Sequence, residues 1–252
     1  MGKAAIKESS NTTQVVRDRD ADRVRSVAPA FPVEVLPPGR IEDIPRLGSS
    51  PRPVMRLLDV ILAAGGLIMC SPVMLVLAIM VRLETPGPIL FRQKRLGKNG
   101  ELFTLVKFRS FYADAKQRFP ELYAYKYGDE ELKTLIFKSA DDPRITPMGR
   151  WLRKTSLDEL PNLWNVLKGD MALVGPRPEI PEMIPYYRGE MLKRFSVKPG
   201  LTSLAHCSGR ANLTFLDSIS YDVDYVNKRS FALDIKILWR TALAVLKRDG
   251  AF

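Results

Sequence analysis

Two adjacent carboxylates, Asp158 and Glu159, are the residues of this sequence best suited to chemistry on a phosphate group. Ser156 followed three residues later by Glu159 matches a capping-box pattern, and Pro161 is tolerated only near a helix start. We therefore expect both carboxylates in the first turn of a helix, where the dipole stabilises negative charge and attracts phosphate. One carboxylate could attack phosphorus while the other holds Mg²⁺. Taken alone, the same spacing is more often an ordinary capped helix.

Basic residues near this pair are candidate phosphate ligands. Lys107 and Arg109 end a predicted strand, Arg153 precedes the carboxylates, and Arg177 lies between two prolines that fix its backbone. Arginine suits bidentate recognition of phosphate, and lysine supplies a point charge. Taken alone, such residues more often form a solvated basic surface or contact lipid headgroups, and the segment around Arg177 is more often a proline-rich turn.

The composition narrows the class of site. The 252 residues carry a formal net charge of +11, which indicates an anionic partner: nucleic acid, anionic lipid or a phosphorylated small molecule. Two cysteines and one histidine, His206, are too few for a disulfide framework or a zinc site of the usual kind. No nucleophile-elbow motif accompanies His206, which argues against a serine hydrolase. Carboxylates and phosphates favour Mg²⁺ as the metal.

The strongest physical signal is an uncharged apolar run over residues 60–81, bounded by Asp59 and Arg82. About 20 such residues span a bilayer as one straight helix. Ser71-Pro72 lies at the midpoint, and proline kinks or breaks a helix. Each half would then be roughly 16 Å long, about half of the hydrocarbon core. The Ser71 hydroxyl is expected to bond a backbone carbonyl freed at the bend.

The charges that flank this run bear on its topology. Lys and Arg residues occur on both sides, which places both ends on the cytoplasmic side under the positive-inside rule. A re-entrant helix-break-helix satisfies that condition, whereas a spanning helix does not. A proline-kinked spanning helix is nevertheless common, so both topologies stay open on physical grounds.

The remaining pattern predicts an α+β fold that is mostly helical. Two strands over 89–95 and 101–109 are joined through Asn99-Gly100, a strong hairpin signal. Helices are expected over residues 113–138, 147–154, 156–168, 179–195 and 232–247, with Gly169 as a helix stop. The predicted organisation is a flexible polar tail (1–50), a re-entrant membrane hairpin (51–85) and a compact catalytic domain at the cytoplasmic face with a small β-hairpin and interfacial amphipathic helices (86–252).

Taken in order, these motifs resemble the bacterial sugar transferase family, the small monotopic phosphoglycosyl transferases. The resemblance covers roughly residues 56–250, about four-fifths of the chain. Each motif alone is weak, and the ordered set is highly specific. The set comprises Ser71-Pro72, Lys107-Phe108-Arg109-Ser110, Asp142-Pro143-Arg144-Ile145-Thr146, Arg153 to Pro161, Asn165 to Met171, Gly175-Pro176-Arg177-Pro178, Lys198 to Thr202 and Asp234-Ile235-Lys236-Ile237.

The resemblance implies transfer of a sugar 1-phosphate from a UDP-sugar to polyprenyl (undecaprenyl) phosphate, with release of UMP. It implies that Asp158 is the nucleophile and that Glu159 ligates Mg²⁺. Lys107, Arg109, Arg153, Arg177 and Arg210 would bind phosphate or nucleotide. The expected setting is the bacterial inner membrane, with lipid as a partner, no nucleic acid, and the oligomeric state left open, a homo-oligomer included.

Departures from the family pattern and two rival hypotheses qualify this expectation. Ser203, Leu204 and His206 replace residues usual in the family, which puts nucleotide or sugar contacts there in doubt. One rival is a single-span protein with a non-catalytic basic domain that binds nucleic acid or lipid. The other is an inactive family member acting as a scaffold, against which the intact Asp158-Glu159 pair argues. The sequence leaves the transferred sugar and the glycan pathway undetermined.

Overall fold

A computed structural model describes residues 38–46, 52–136, 142–208 and 213–247. Within these ranges the fold is mostly helical with two small sheets, which confirms the expected α+β composition. The helices are α1 (Pro53–Glu84), α2 (Ala115–Arg118), α3 (Asp129–Thr134), α4 (Pro147–Thr155), α5 (Asn162–Lys168), α6 (Leu204–Ser208), α7 (Phe215–Lys228) and α8 (Phe231–Lys247). The strands are β1 (Leu90–Leu96), β2 (Leu102–Phe108), β3 (Ala172–Val174) and β4 (Gly200–Thr202).

Helix α1 contains the apolar run. It begins with Pro53 at its first position, where the missing N–H costs nothing, and it continues through Pro72 for 32 residues. Pro72 has no N–H for the carbonyl of Ile68, and the Ser71 hydroxyl donates to that carbonyl at 2.8 Å. The predicted bond from Ser71 to a freed carbonyl is confirmed, and α1 continues as one helix through the expected break at Ser71-Pro72. An 18-residue stretch of α1 has a mean hydropathy of 2.4, and α1 is long and apolar enough to cross a membrane by length and composition.

The first half of α1 is bonded to the globular domain. Arg56 donates to the carbonyls of Val166 and Leu167 at the end of α5, at 2.6 and 2.8 Å. Asp59 accepts from the backbone N–H of Leu173 in β3 at 2.9 Å. These bonds satisfy helix-end and strand-edge groups that would otherwise need water, so they fix α1 against the domain.

The second half of α1 is bonded to the same domain. Glu84 accepts from the backbone N–H of Met148 at the start of α4, at 2.6 Å. Arg109 donates to the carbonyls of Thr85 and Pro86, just after α1, at 2.7 and 2.6 Å. The middle of α1 is free of the described domain, and the side chain of Met69 there is 77% exposed. Both ends of the apolar helix therefore contact the same globular domain.

The β1–β2 hairpin pairs antiparallel, with Leu96 opposite Leu102. Asn99 and Gly100 adopt positive φ of 56° and 79° in the connecting turn, as their types favour. The predicted hairpin is therefore confirmed. Strands β3 and β4 form a separate parallel pair.

Four apolar clusters form the core of the described residues, the smallest of which contains Ala205, Leu213 and Tyr221. One lies under Tyr187, Phe195 and Phe215, whose rings meet edge to face. The second joins Ala63 of α1 to α5, the sheets and α8. The third joins Leu77 and Val81 of α1 to Phe108 and Leu152. Residues from both halves of α1 thus belong to the core, with its exposed midpoint between them.

Several boundaries differ from those predicted. The helix expected over 179–195 is two 3₁₀ segments, Pro181–Tyr186 and Gly189–Ser196, because Pro185 lacks a donor and Gly189 has a positive φ of 49°. The helix expected over 113–138 is α2, a 3₁₀ turn and α3, and its last two residues lie outside the described ranges.

The stretch assigned to a flexible tail is partly structured: residues 38–46 include a 3₁₀ turn, and Ile44 is buried in the first cluster. Residues 1–37 and 47–51 lie outside the described ranges.

We predict that Gly149→Ala is strongly destabilising. A β-carbon there would lie 2.0 Å from the carbonyl oxygen of Ser110, so α4 must shift. Overpacking of this kind costs about 1–3 kcal/mol, and a backbone clash lies at the upper end. Thermal unfolding in detergent measures the loss, with Gly65→Ala as the control because a β-carbon at Gly65 meets nothing within 4 Å. Equal melting temperatures for the two variants would contradict the packing of α4 against Ser110.

Candidate active site

The Asp158-Glu159 pair lies in a single 3₁₀ turn, Leu157–Glu159, between α4 and α5. The predicted capping box is wrong. Ser156 has a positive φ of 59° and ends α4, with its N–H bonded to the carbonyls of Arg153 and Leu152, and its side chain makes no capping bond. Helix α5 begins only at Asn162, because Pro161 has no N–H to continue the turn as a helix interior. The carboxylates are therefore held between two helices rather than in the first turn of one.

Two cations from separate elements converge on Glu159. Lys107 of β2 donates from Nζ to Glu159 Oε1 at 2.5 Å. Arg177, in the loop after β3, donates from Nη2 to the same oxygen at 3.4 Å. The strand, the 3₁₀ turn and the proline-flanked loop thus meet at one carboxylate, and three residues predicted from sequence are brought together.

Asp158 lies beside this cluster with only 7% of its surface exposed. Burial raises the pKa of its carboxyl above the ordinary 3.8, the nearby charge of Lys107 opposes that rise, and Glu159 adds to it. Burial also lowers the pKa of the Lys107 ammonium, and Glu159 acts in the opposite direction. The site therefore holds charges that the protein interior disfavours, as is common where groups act on a ligand.

Arg153 supplies a third cation near Asp158. Its Nε donates to Ser110 Oγ at 3.0 Å, and its guanidinium lies 4.3 Å from the centre of the Phe111 ring. Burial lowers the pKa of Arg153, and Asp158 is the largest opposing charge. Stacking and hydrogen bonding fix a side chain that would otherwise be mobile, and this rigidity suits a phosphate ligand.

Two other predicted ligands are placed differently. Arg109 is 5% exposed, and its guanidinium bonds the carbonyls at the end of α1, away from the carboxylates. The structure thus gives Arg109 a structural contact with the end of α1, and its role as a phosphate ligand stays a prediction. Arg210 lies outside the described residues.

A shallow cleft opens beside Glu159. Lys107, Glu159, Asn162 and Arg177 supply its polar groups, and Leu105, Met171 and Leu201 are among its apolar neighbours. Asn162 is not among the residues predicted from sequence, although its position three residues after Glu159 and directly after Pro161 could have drawn attention to it.

Two arginines that hold the loop carrying Arg177 are also missing from the residues predicted from sequence. Arg194 is buried and donates to the carbonyl of Arg177 at 2.8 Å, while pairing with Asp222 at 2.7 Å. Arg95 donates to the carbonyl of Pro178 at 3.1 Å. The sequence gives no sign of these roles, since both depend on contacts between segments distant along the chain.

The carboxylates of the site suit a metal cation that the phosphates of a bound substrate help to coordinate. Among the residues that the structure describes, no group of three or more His, Cys, Asp or Glu side chains could enclose a metal by itself. Asp158 and Glu159 offer adjacent carboxylates beside three cations that suit phosphate. Mg²⁺ commonly binds one or two carboxylates together with substrate phosphates and water, and this arrangement fits that pattern.

Comparison with known proteins defines the class of this chain. The sequence profile described as bacterial sugar transferase matches residues 50–248, and the chain belongs to that family. The resemblance expected from the sequence motifs is confirmed. The exposed apolar helix of the structure agrees with membrane association.

Three relatives carry informative names. A galactosyl transferase, CpsE, from Streptococcus agalactiae is 44% identical over 78% of this chain and 43% of its own length. An undecaprenyl-phosphate galactose phosphotransferase from Salmonella typhimurium is 40% identical over 81% and 42%. A UDP-glucose:undecaprenyl-phosphate glucose-1-phosphate transferase from Caulobacter vibrioides is 35% identical over 88% and 82%. The chain spans less than half the length of the first two relatives.

We predict that Asp158→Asn raises stability at neutral pH. Since the pKa of Asp158 is raised in the folded state, stability contributed by its protonated form is lost as pH rises through that pKa. Asparagine removes this loss, so the melting temperature should exceed that of the wild type at pH 7. The difference should narrow as pH falls toward 3.8, the ordinary value.

The control is Asp224→Asn, which removes a carboxylate from an exposed pair with Lys228 and should change the melting temperature little. A lower melting temperature for Asp158→Asn at pH 7 would contradict the prediction, because it would show that the charged Asp158 carboxylate stabilises the fold.

Proposed function

We propose that this protein transfers a sugar 1-phosphate from a UDP-sugar to polyprenyl phosphate and releases UMP, as the priming step of a bacterial surface glycan. The observation that carries the proposal is the buried Asp158 beside Glu159, with Lys107 and Arg177 bound to the Glu159 carboxylate. The names of the relatives support a galactose or glucose phosphate as the transferred group.

The reaction has two displacements at one phosphorus atom. A carboxylate oxygen of Asp158 attacks the phosphorus that bears the sugar, the bond from that phosphorus to the UMP oxygen breaks, and UMP leaves. An oxygen of polyprenyl phosphate then attacks the same phosphorus, and the aspartyl oxygen–phosphorus bond breaks. The product is polyprenyl-diphosphate-sugar, and the Asp158 carboxylate is regenerated. A covalent intermediate of this kind gives ping-pong kinetics.

The surrounding charges serve both displacements. Lys107, Arg153 and Arg177 are held by the protein near the carboxylates, so they are available to bind phosphate oxygens as charge shifts between them. Glu159 would hold Mg²⁺ together with phosphate oxygens and water. When bound, Mg²⁺ neutralises phosphate charge and makes the phosphorus more electrophilic.

The contacts of α1 support a re-entrant membrane segment in the inner membrane, with the domain at the cytoplasmic face. Its first half is bonded to α5 and β3, and its second half to α4 and the end of β2. A helix that crossed the bilayer would place one of these contact sets on the far side, away from the rest of the domain. Basic residues on both flanks favour the cytoplasmic side for both ends.

The direct test is UMP release from UDP-galactose or UDP-glucose in the presence of undecaprenyl phosphate and Mg²⁺. Asp158→Asn should lower the rate by at least about 10³-fold, because it removes the carboxylate that forms the proposed intermediate. Without acceptor, mass spectrometry should find a phosphosugar on Asp158. The surface variant Asp224→Asn should retain activity.

Wild-type rates from Asp158→Asn, or product formation without an adduct on residue 158, would refute the covalent mechanism. Failure of the wild type to release UMP from any UDP-sugar would instead favour a non-catalytic binding domain.

Topology is tested separately by labelling Glu42→Cys and Lys94→Cys, both exposed and on either side of α1, in a Cys70→Ser, Cys207→Ser background. A membrane-impermeant maleimide should label both positions in inverted inner-membrane vesicles and neither in right-side-out vesicles. Labelling of the two positions from opposite faces would establish a spanning helix.

A further inference from the structure

Asn162 has a buried amide oxygen with no hydrogen-bond partner among the residues that the structure describes. The residue is 2% exposed and lines the cleft together with Lys107, Glu159 and Arg177. Buried polar atoms are nearly always paired, and an unpaired one is costly to the fold. An unpaired oxygen at the wall of a charged cleft indicates a partner that arrives with a ligand.

Asn165, one turn later on α5, provides the contrast. Its amide oxygen accepts from the backbone N–H of Val106 at 3.1 Å. Its amide nitrogen donates to the carbonyl of Thr104 at 2.8 Å and to Asp170 at 3.2 Å. Asn165 is thus satisfied within the protein and joins α5 to β2. The two asparagines share a helix and a residue type, and only Asn162 faces the cleft with a free acceptor.

The chemistry of an amide oxygen limits the partner. It accepts hydrogen bonds, as ionised phosphate oxygens also do, so it gains nothing from a bare phosphate. The partner must carry a donor. The hydrogen-bond donors that a sugar nucleotide would bring closest to its reacting phosphorus are the hydroxyls of the sugar. Water bound to a cation at Glu159 is the second source of the same O–H chemistry.

We propose that the amide oxygen of Asn162 accepts a hydrogen bond from an O–H group that is present when the donor substrate is bound, either a hydroxyl of the transferred sugar or a water held by the cation. This proposal rests on the function proposed above. It makes Asn162 a substrate-contacting residue that orients the sugar phosphate against Asp158. A neutral acceptor is suited to this position, because a third carboxylate would repel the phosphate.

The test compares Asn162→Leu with Asn165→Leu, both in an Asp158→Asn background that prevents turnover. Equilibrium binding of UDP-galactose and UDP-glucose is measured with and without Mg²⁺, and the melting temperature is recorded for each variant. Asn162→Leu should weaken donor binding about three- to tenfold, as expected for one hydrogen bond, and should raise the melting temperature because an unpaired polar atom is removed. Asn165→Leu should lower the melting temperature and leave the donor affinity of the folded protein unchanged.

Binding of UDP distinguishes the two sources. If the partner is a sugar hydroxyl, Asn162→Leu weakens binding of the UDP-sugar without Mg²⁺ and leaves UDP binding unchanged. If the partner is cation-bound water, the loss occurs only with Mg²⁺ and extends to UDP. Either result supports the proposal.

Unchanged donor affinity in Asn162→Leu would overturn the proposal, as would a fall in its melting temperature equal to that of Asn165→Leu. Equal weakening of UDP binding without Mg²⁺ would also overturn it, since neither source is then present. These outcomes are distinct from failure of the proposed function, in which wild-type protein releases no UMP from any UDP-sugar.

Discussion

The bond between Lys107 and Glu159 is the interaction on which the arrangement of the site depends. It joins β2 to the 3₁₀ turn that carries the carboxylates, at 2.5 Å and largely out of solvent. A partly buried carboxylate without such a partner would bear the desolvation cost of its charge uncompensated. Because the side chains of Lys107 and Glu159 are only 15% and 20% exposed, each charge offsets part of the desolvation cost of the other, and the pair fixes the position of the turn relative to the strand.

A second set of buried charges fixes the opposite wall of the cleft. Arg177 reaches Glu159 from a loop whose carbonyls at Arg177 and Pro178 are bonded by Arg194 and Arg95. Arg194 in turn pairs with Asp222 of α7, and burial raises the pKa of that carboxyl to about 6 even beside the guanidinium. The loop is therefore set by residues from the first strand, a 3₁₀ segment and a late helix. Such convergence keeps the Arg177 guanidinium in place before a ligand arrives, which reduces the cost of binding.

The features predicted correctly from sequence are those that local chemistry determines. Asn99-Gly100 specifies the β1–β2 turn through positive φ, and Gly169 ends α5 with a φ of 99°. Ser71 bonds the carbonyl that Pro72 leaves free, within one turn of the same helix. The errors arise where distant contacts override local preference. Ser156 adopts a left-handed conformation that its type does not favour.

The same distinction between local sequence and distant contacts applies to the candidate site. Its charged members, Asp158, Glu159, Lys107, Arg153 and Arg177, are identifiable from residue type and motif order, since phosphate chemistry requires such groups. Asn162, Arg194 and Arg95 escape prediction because their roles depend on burial and on partners far along the chain. Arg109 is predicted as a phosphate ligand from its charge and motif, and its bonds to the end of α1 are visible only once the fold is known.

The end of strand β2 and the residue after it connect the site to the apolar helix through four consecutive residues. The N–H of Val106 bonds Asn165, Lys107 bonds Glu159, Phe108 packs against Leu77 and Val81, and Arg109 bonds the end of α1. Two residues of extended chain cover about 7 Å, so the backbone of Lys107 lies that close to the backbone of the residue that holds the membrane helix. In the proposed re-entrant arrangement, the exposed middle of α1 lies in the bilayer and the carboxylates lie at the bilayer boundary. Under the proposed function, a polar donor and an acceptor with a lipid tail would meet at this boundary, so the packing of one strand would determine where the transfer takes place.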